Sequence, residues 1–299
     1  MNKDYLRKIL IRSSDLLESG VKKLRGAANR LSPQKSLTLA DCERQNWANV
    51  RTAFVLSTGR SGTLLLNHLF LLSAEVEAHH QPRPELIRAS RRAYEEIREH
   101  PEIFRETLKS SREELVLAAA QRDKLFLETN NRITFFAPVI PDVFPNSLFI
   151  HLVRHPGDFV RSGIRRKWYS GQHDYDLGRI VPVRGEMKDR WPSLSVIEKI
   201  GWLWNETNQF IEDFRQTVPA ERFLFIKAEE LFAEPEVTHR IFDFLQISGY
   251  NRKAVEKIIR TPVNVQKKGR FAKFEDWPEE DKQKLKLVTP LAERYGYFW

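Results

Sequence analysis

The feature that most constrains the fold is a strand-to-helix junction around position 60. Thr52-Ala53-Phe54-Val55-Leu56-Ser57 is an unbroken apolar run, short enough for a strand buried on both faces. The small-residue turn Ser57-Thr58-Gly59-Arg60-Ser61-Gly62-Thr63 follows, then an apolar helical stretch to about Leu72. A strand that turns tightly into a helix belongs to an open α/β sheet, where the helix N-terminus presents its unpaired N–H groups to an anion at the strand's carboxyl end. Gly59 and Gly62 let the backbone curl close to a phosphate, Arg60 adds a permanently charged fork of donors, and Ser61 and Thr63 add hydroxyls. The nucleotide-triphosphate loop GxxxxGK[ST] is not matched, since no Lys precedes a Ser or Thr here.

The rest of the chain repeats this pattern. Strands are predicted at Glu75–Ala78 (weak), Lys124–Glu128, Leu148–Val153 and Arg222–Ile226, with helical blocks near 84–99 and 101–121 divided by Pro101. Ser195 and Glu198 form a capping box that opens a helix carrying Ile200, Trp204, Ile211 and Phe214. Alternating strands and helices predict a three-layer α/β/α domain around a central, mostly parallel sheet.

A second candidate anion site ends the strand at 148–153. Arg154 follows it and Ser162 lies eight positions on; with Asp158 capping the next helix, both side chains would reach one phosphate, although Arg154 could instead pair with Asp158 at the surface. A third basic element, Gln266-Lys267-Lys268-Gly269-Arg270, is by itself an ordinary solvated charge run.

These residues carry a resemblance. STGRSGT, the Arg-to-Ser spacing in FPNSLFIHLVRHPGDFVRS, FLFIKAEELFAEP and KKG together resemble the sulfotransferases that use 3′-phosphoadenosine 5′-phosphosulfate (PAPS), over roughly residues 50–275. The resemblance implies a P-loop NTPase-like sulfotransferase fold, with the turn Ser57, Thr58, Gly59, Arg60, Ser61, Gly62 and Thr63 around the cofactor's 5′-phosphosulfate. It implies Arg154 and Ser162 on the 3′-phosphate, and Lys267, Lys268 and Gly269 closing over it. Ala228 stands where the family's adenine-side Tyr often is. The reaction implied is in-line sulfuryl transfer from PAPS to a hydroxyl or amine, with Arg60 stabilising the bridging oxygen and no metal.

An acceptor hydroxyl needs a base. Related sulfotransferases place a Glu or His about twenty residues beyond the loop, where Glu77-Ala78-His79-His80 lies; His80 is the first choice because imidazole titrates near neutrality, with His79, Glu77 and Glu85 as alternatives. Glu128, at another strand end, could be base or acceptor-binding. Some relatives resemble Glu-Lys-Thr here, and Arg132 could supply the role of the Lys that Thr129 replaces. Arg165 to Tyr175, with Arg179, Arg184 and Trp191, interleaves Arg, Trp, Tyr and His: either an acceptor loop suited to a glycan or glycolipid, or a surface loop folded over the core.

The net charge of +9 divides unevenly: residues 1–40 hold nine Lys/Arg against three carboxylates, or +6, and the other 259 share +3. Leucines spaced by three, four and seven make residues 1–31 a basic amphipathic helix that could lie on an anionic membrane, or dock on a partner or on its own domain. The domain plan is therefore an extension and polar linker at 1–45 and a sulfotransferase domain at 46–299. One cysteine, Cys42, excludes an internal disulfide framework, and with no apolar window long enough to span a membrane and no signal-peptide pattern at the N-terminus the expected location is cytoplasmic. A nucleotide kinase or NTPase is disfavoured by the missing GK[ST]. A nucleic-acid-binding protein is disfavoured by the near-neutral remainder.

Overall fold

The structure, a computed structural model, describes residues 35–171, 174–260 and 272–297. The N-terminal extension up to residue 34 and Lys267, Lys268 and Gly269 lie outside the described residues. Five strands form one parallel sheet in the order β2-β3-β1-β4-β5. They are β1 (Thr52–Leu56), β2 (Val76–His79), β3 (Leu125–Glu128), β4 (Leu148–Val153) and β5 (Phe223–Lys227).

Pleating divides each central strand between two cores. Phe54 and Leu56 of β1 with Phe149 and Val153 of β4 face one core; Ala53 and Val55 with Ile150 and Leu152 face the other. Over the first face pack α1 (Leu39–Arg44), α3 (Ile87–Glu96), α4 (Pro101–Gln121), a 3-10 stretch at Asn131–Val139, α5 (Pro156–Ile164), α6 (Val196–Arg215) and α10 (Glu279–Val288). Over the second lie α2 (Thr63–Phe70), α7 (Ala228–Ala233), α8 (Pro235–Phe244) and α9 (Arg252–Arg260). This is the three-layer α/β/α architecture that the alternating pattern predicts.

The expected elements form where expected, for local reasons. Pro101 is the first residue of α4, where its missing N–H costs nothing. The Ser195–Glu198 capping box closes in both directions at the start of α6. Two expectations change. The linker drawn as far as residue 45 contains α1, whose Cys42 is 2% exposed in the core, so the chain joins the domain earlier than drawn. Asp158 does not cap α5: that helix starts at Pro156, and His155 is its cap, its Nδ1 accepting from the Gly157 amide at 3.1 Å. Asp158 falls in the first turn instead, where a carboxylate favours the helix dipole.

Candidate functional site

At the carboxyl ends of the strands the two layers part around a cleft of about 1140 Å³. β1 delivers the loop Ser57–Gly62 into it. Three loop residues are left-handed, Gly59 at φ +75°, Arg60 at +56° and Gly62 at +95°, which turns the chain sharply into α2. Gly62 is needed twice over, since a Cβ there would also meet Cε1 of Phe232 at 2.6 Å. Ser57 braces the loop from behind: its amide donates to Thr134 Oγ1 at 3.0 Å and its Oγ accepts from the Gly59 amide at 3.1 Å.

The structure joins the two candidate anion sites into one. Nη1 of Arg154 donates to the Arg60 carbonyl at 3.0 Å across 94 residues of sequence. Ser162 Oγ accepts from Arg166 Nη1 at 2.8 Å and lies 3.4 Å from Arg60 Nε. Arg154 also reaches Asp158 Oδ2 at 3.2 Å, so the surface pairing read as an alternative coexists with the cleft position. The Ser61 hydroxyl and Arg154 Nε are buried with no hydrogen-bond partner among the described residues. Buried donors left in this state are costly unless a ligand satisfies them. Both therefore fit an anion as missing partner.

The cleft is strongly basic: its described lining includes Arg60, Arg132, Arg154, Arg161, Arg165, Arg166 and Arg179, against the single carboxylate of Asp158. Burial lowers the pKa of Arg60, and the charge of Arg154 adds to the effect. Arg166 is lowered to about 10, by burial first and then by Arg60, Arg165, Arg154 and Arg179. Such mutual repulsion is relieved by a polyanion. The sequence pointed to Arg60 and Arg154; Arg166 it left in the acceptor segment, although its i+4 spacing from Ser162 on one helical face was the available signal.

His80 leaves the end of β2 and lines the same cleft, with Nδ1 2.9 Å from Thr129 Oγ1. Burial pushes its pKa below 6.5, opposed by the bond at Thr129 and reinforced by the charges of His68, Arg60 and Arg132. The other candidate bases are engaged elsewhere. Glu128 is fully buried, held by both oxygens to Arg112 at 2.6 and 2.9 Å, and is not part of the cleft wall. Glu77 pairs with Arg122 at 2.8 Å, and Glu85 with Arg132 at 2.9 Å.

The segment expected to form an acceptor surface is divided: Arg165, Arg166, Trp168 and Arg179 line the cleft, while Tyr169 and Trp191 pack inward. Trp168 is 7% exposed with the Arg179 guanidinium 4.0 Å over its ring, the Tyr169 hydroxyl donates to the Ile180 carbonyl, and Trp191 packs edge-on against Tyr169 and Trp202. Residues the sequence did not single out complete the walls: Asn131, Phe135, Leu203 and Thr207 on one side, Phe232 and Ile259 on the other. Ala228, at the position of the family's Tyr, is fully buried. Among the described residues no group of three His, Cys, Asp or Glu is arranged to hold a metal ion, and no helix is long and apolar enough to cross a membrane.

The profile of the sulfotransferase family matches residues 52–251. Similar solved structures include a sulfotransferase from Mycobacterium avium (15% identity, TM-score 0.48, covering 86% of this chain and 79% of that one). The sulfotransferase domain of the Synechococcus PCC 7002 olefin synthase is 18% identical with a TM-score of 0.42, over 84% of this chain and 97% of its own. That of the curacin biosynthetic pathway is 16% identical with a TM-score of 0.44, over 68% and 76%. No curated protein sequence matches the chain.

Proposed function

Because the chain belongs to the sulfotransferase family, we propose that its cleft binds PAPS and directs in-line transfer of the sulfuryl group to an acceptor hydroxyl. The observation that carries this reading is the joining of the two anion sites by Arg154 and Arg60, with unpartnered donors at Ser61 and Arg154. Two phosphate-binding elements held side by side suit a nucleotide phosphorylated at both 3′ and 5′ positions better than a linear triphosphate.

In this reading the loop Ser57–Thr63 and the start of α2 hold the 5′-phosphosulfate, with Arg154 and Ser162 on the 3′-phosphate. Lys267, Lys268 and Gly269 close over that phosphate. The acceptor oxygen attacks sulfur as the bond from sulfur to the bridging oxygen breaks. The electron pair stays on that oxygen, which leaves as the 5′-phosphate of 3′-phosphoadenosine 5′-phosphate (PAP), and Arg60 stabilises the charge that develops there. His80 takes the acceptor's proton; it is the candidate base that faces the cleft, and burial keeps it neutral at the pH where a base is needed. Glu128 serves the fold through Arg112. Phe232 and Ile259 offer an apolar wall for the nucleobase in place of the Tyr that Ala228 replaces.

For a glycan or glycolipid acceptor, Trp168 on the cleft wall is the ring left to cover a sugar face, since Tyr169 and Trp191 pack on the core.

A thermal-shift titration tests the reading. PAP should raise the melting temperature, whereas ATP with Mg²⁺ and duplex DNA should raise it far less. Stabilisation by ATP with Mg²⁺ and none by PAP would overturn it.

A further inference from the structure

One peptide group in the second anion site is gripped at both ends. The peptide joining Arg154 to His155 has its carbonyl oxygen on Arg154 and its N–H on His155. The Trp204 indole Nε1 donates to that carbonyl at 2.8 Å, and the N–H donates to Glu229 Oε1 at 2.9 Å. Glu229 is held in turn: its other oxygen accepts from the Tyr297 hydroxyl at 2.8 Å. The Tyr297 ring packs edge-on against the His155 ring, centroids 5.1 Å apart, and is 7% exposed. Burial and the charge of Glu229 raise the Tyr297 pKa, so its hydroxyl stays protonated as a donor.

A peptide plane fixed at both its oxygen and its nitrogen cannot rotate, which leaves the Cα–Cβ direction of Arg154 no freedom from that side. The side chain then follows its hydrogen-bond partners, the Arg60 carbonyl and Asp158. Trp204 in α6, Glu229 in α7 and Tyr297 near the C-terminus come from three separate stretches of the chain, and none of them lines the cleft. Any influence on a ligand must therefore pass through the backbone of residues 154 and 155. A misplaced charged donor loses most of the strength of its bond, because such bonds fall off steeply with angle and distance.

We propose that Glu229 and Tyr297 are positioning residues that set donor selectivity: by holding the Arg154–His155 peptide from outside the cleft they aim Arg154 at a 3′-phosphate, and so favour a nucleotide phosphorylated at both 3′ and 5′ positions over one phosphorylated only at 5′. The inference rests on reading the cleft as a PAPS site. It gives Glu229, next to the Ala228 that stands where the family's Tyr often is, a role that needs no contact with the nucleobase.

The test compares two probes by calorimetry on the full chain, PAP and adenosine 5′-phosphate, which differ by the 3′-phosphate alone. Wild type should prefer PAP; if it does not, the reading of the cleft fails before this inference is reached. In Tyr297→Phe and Glu229→Ala the affinity for PAP should fall about tenfold, the size of a weakened charge-assisted bond, while that for adenosine 5′-phosphate stays unchanged. Glu229→Gln, which keeps an oxygen for the His155 amide, should recover part of the preference. A merely structural role would weaken both probes together. Equal loss for both probes, or an unchanged preference in folded Tyr297→Phe, overturns the proposal. Tyr297→Phe removes one oxygen atom and decides the matter if Glu229→Ala does not fold.

Discussion

Among single residues, His80 and Glu128 show how two groups of the same chemical promise are separated by their surroundings. His80 faces the cleft and Glu128 does not. Replacing His80 with Ala should leave PAP affinity intact and lower turnover by about 10²–10⁴-fold, the usual contribution of a general base. The base works as neutral imidazole, and burial has lowered the pKa of His80 below 6.5, so the neutral form dominates at pH 6.5 and above. The acid limb of the rate profile should therefore have its midpoint below pH 6.5 and vanish in the variant. A limb centred above 6.5 assigns the proton to another group. Glu128→Gln should act on stability: Arg112 and Glu128 are both fully buried, and breaking such a pair costs about 3–5 kcal/mol. Denaturant unfolding would register that loss, and PAP affinity of the folded variant should match wild type. From the sequence Glu128 looked catalytic because it ends a strand. Its partner sixteen residues earlier on α4 had a local signal, since Arg112 rather than Arg105 continues the apolar stripe Phe104, Leu108 and Val116, but nothing in the sequence marked Glu128 as the group it meets.

At the scale of elements, sequence reading succeeds where a rule is local. The apolar run of β1, the proline opening α4 and the capping box of α6 each settle their element within a few residues, and the structure agrees on all three. It falters where a side chain takes an unusual role. Asp158 was the expected cap of α5, yet His155 fills it because Pro156 fixes the first helical residue and Nδ1 reaches the Gly157 amide. The loop between β1 and α2 offers the sharpest test of an element. Gly62→Ala forces a side chain into φ +95°, at about 1–2 kcal/mol, and pushes its Cβ against Phe232. The loop should open and PAP affinity fall roughly tenfold, measured by calorimetry. Because Phe232 also lines the cleft, the comparison is made in its absence: Gly62→Ala introduced into Phe232→Ala escapes the collision but not the backbone strain, so it should still cost more than half of the binding free energy it costs in wild type. No loss in the Phe232→Ala background would mean that contact, not backbone conformation, shapes the loop.

For the whole molecule, the question is what the charge of +9 does. The sequence assigned +6 to residues 1–40 and only +3 to the remainder, which made the domain look nearly neutral. Folding redistributes that small remainder: arginines from the β1 loop, the 131–139 stretch, α5 and the segment after it converge on one cleft, with Asp158 as the carboxylate among its described lining residues. Net charge could not reveal this, because the contact of Arg154 with Arg60 spans 94 positions. Local charge, partly screened from water by burial, governs affinity for a small polyanion more than the total does. PAP affinity should accordingly weaken as salt rises from 0.05 to 0.5 M (roughly 14 to 4 Å of Debye length), and the slope should be the same after residues 1–34 are deleted. Calorimetry on the full chain and the deletion at matched salt gives the comparison. A deletion that flattens the slope would place the basic extension over the donor site, and the division between a charged arm and a locally charged cleft would no longer hold.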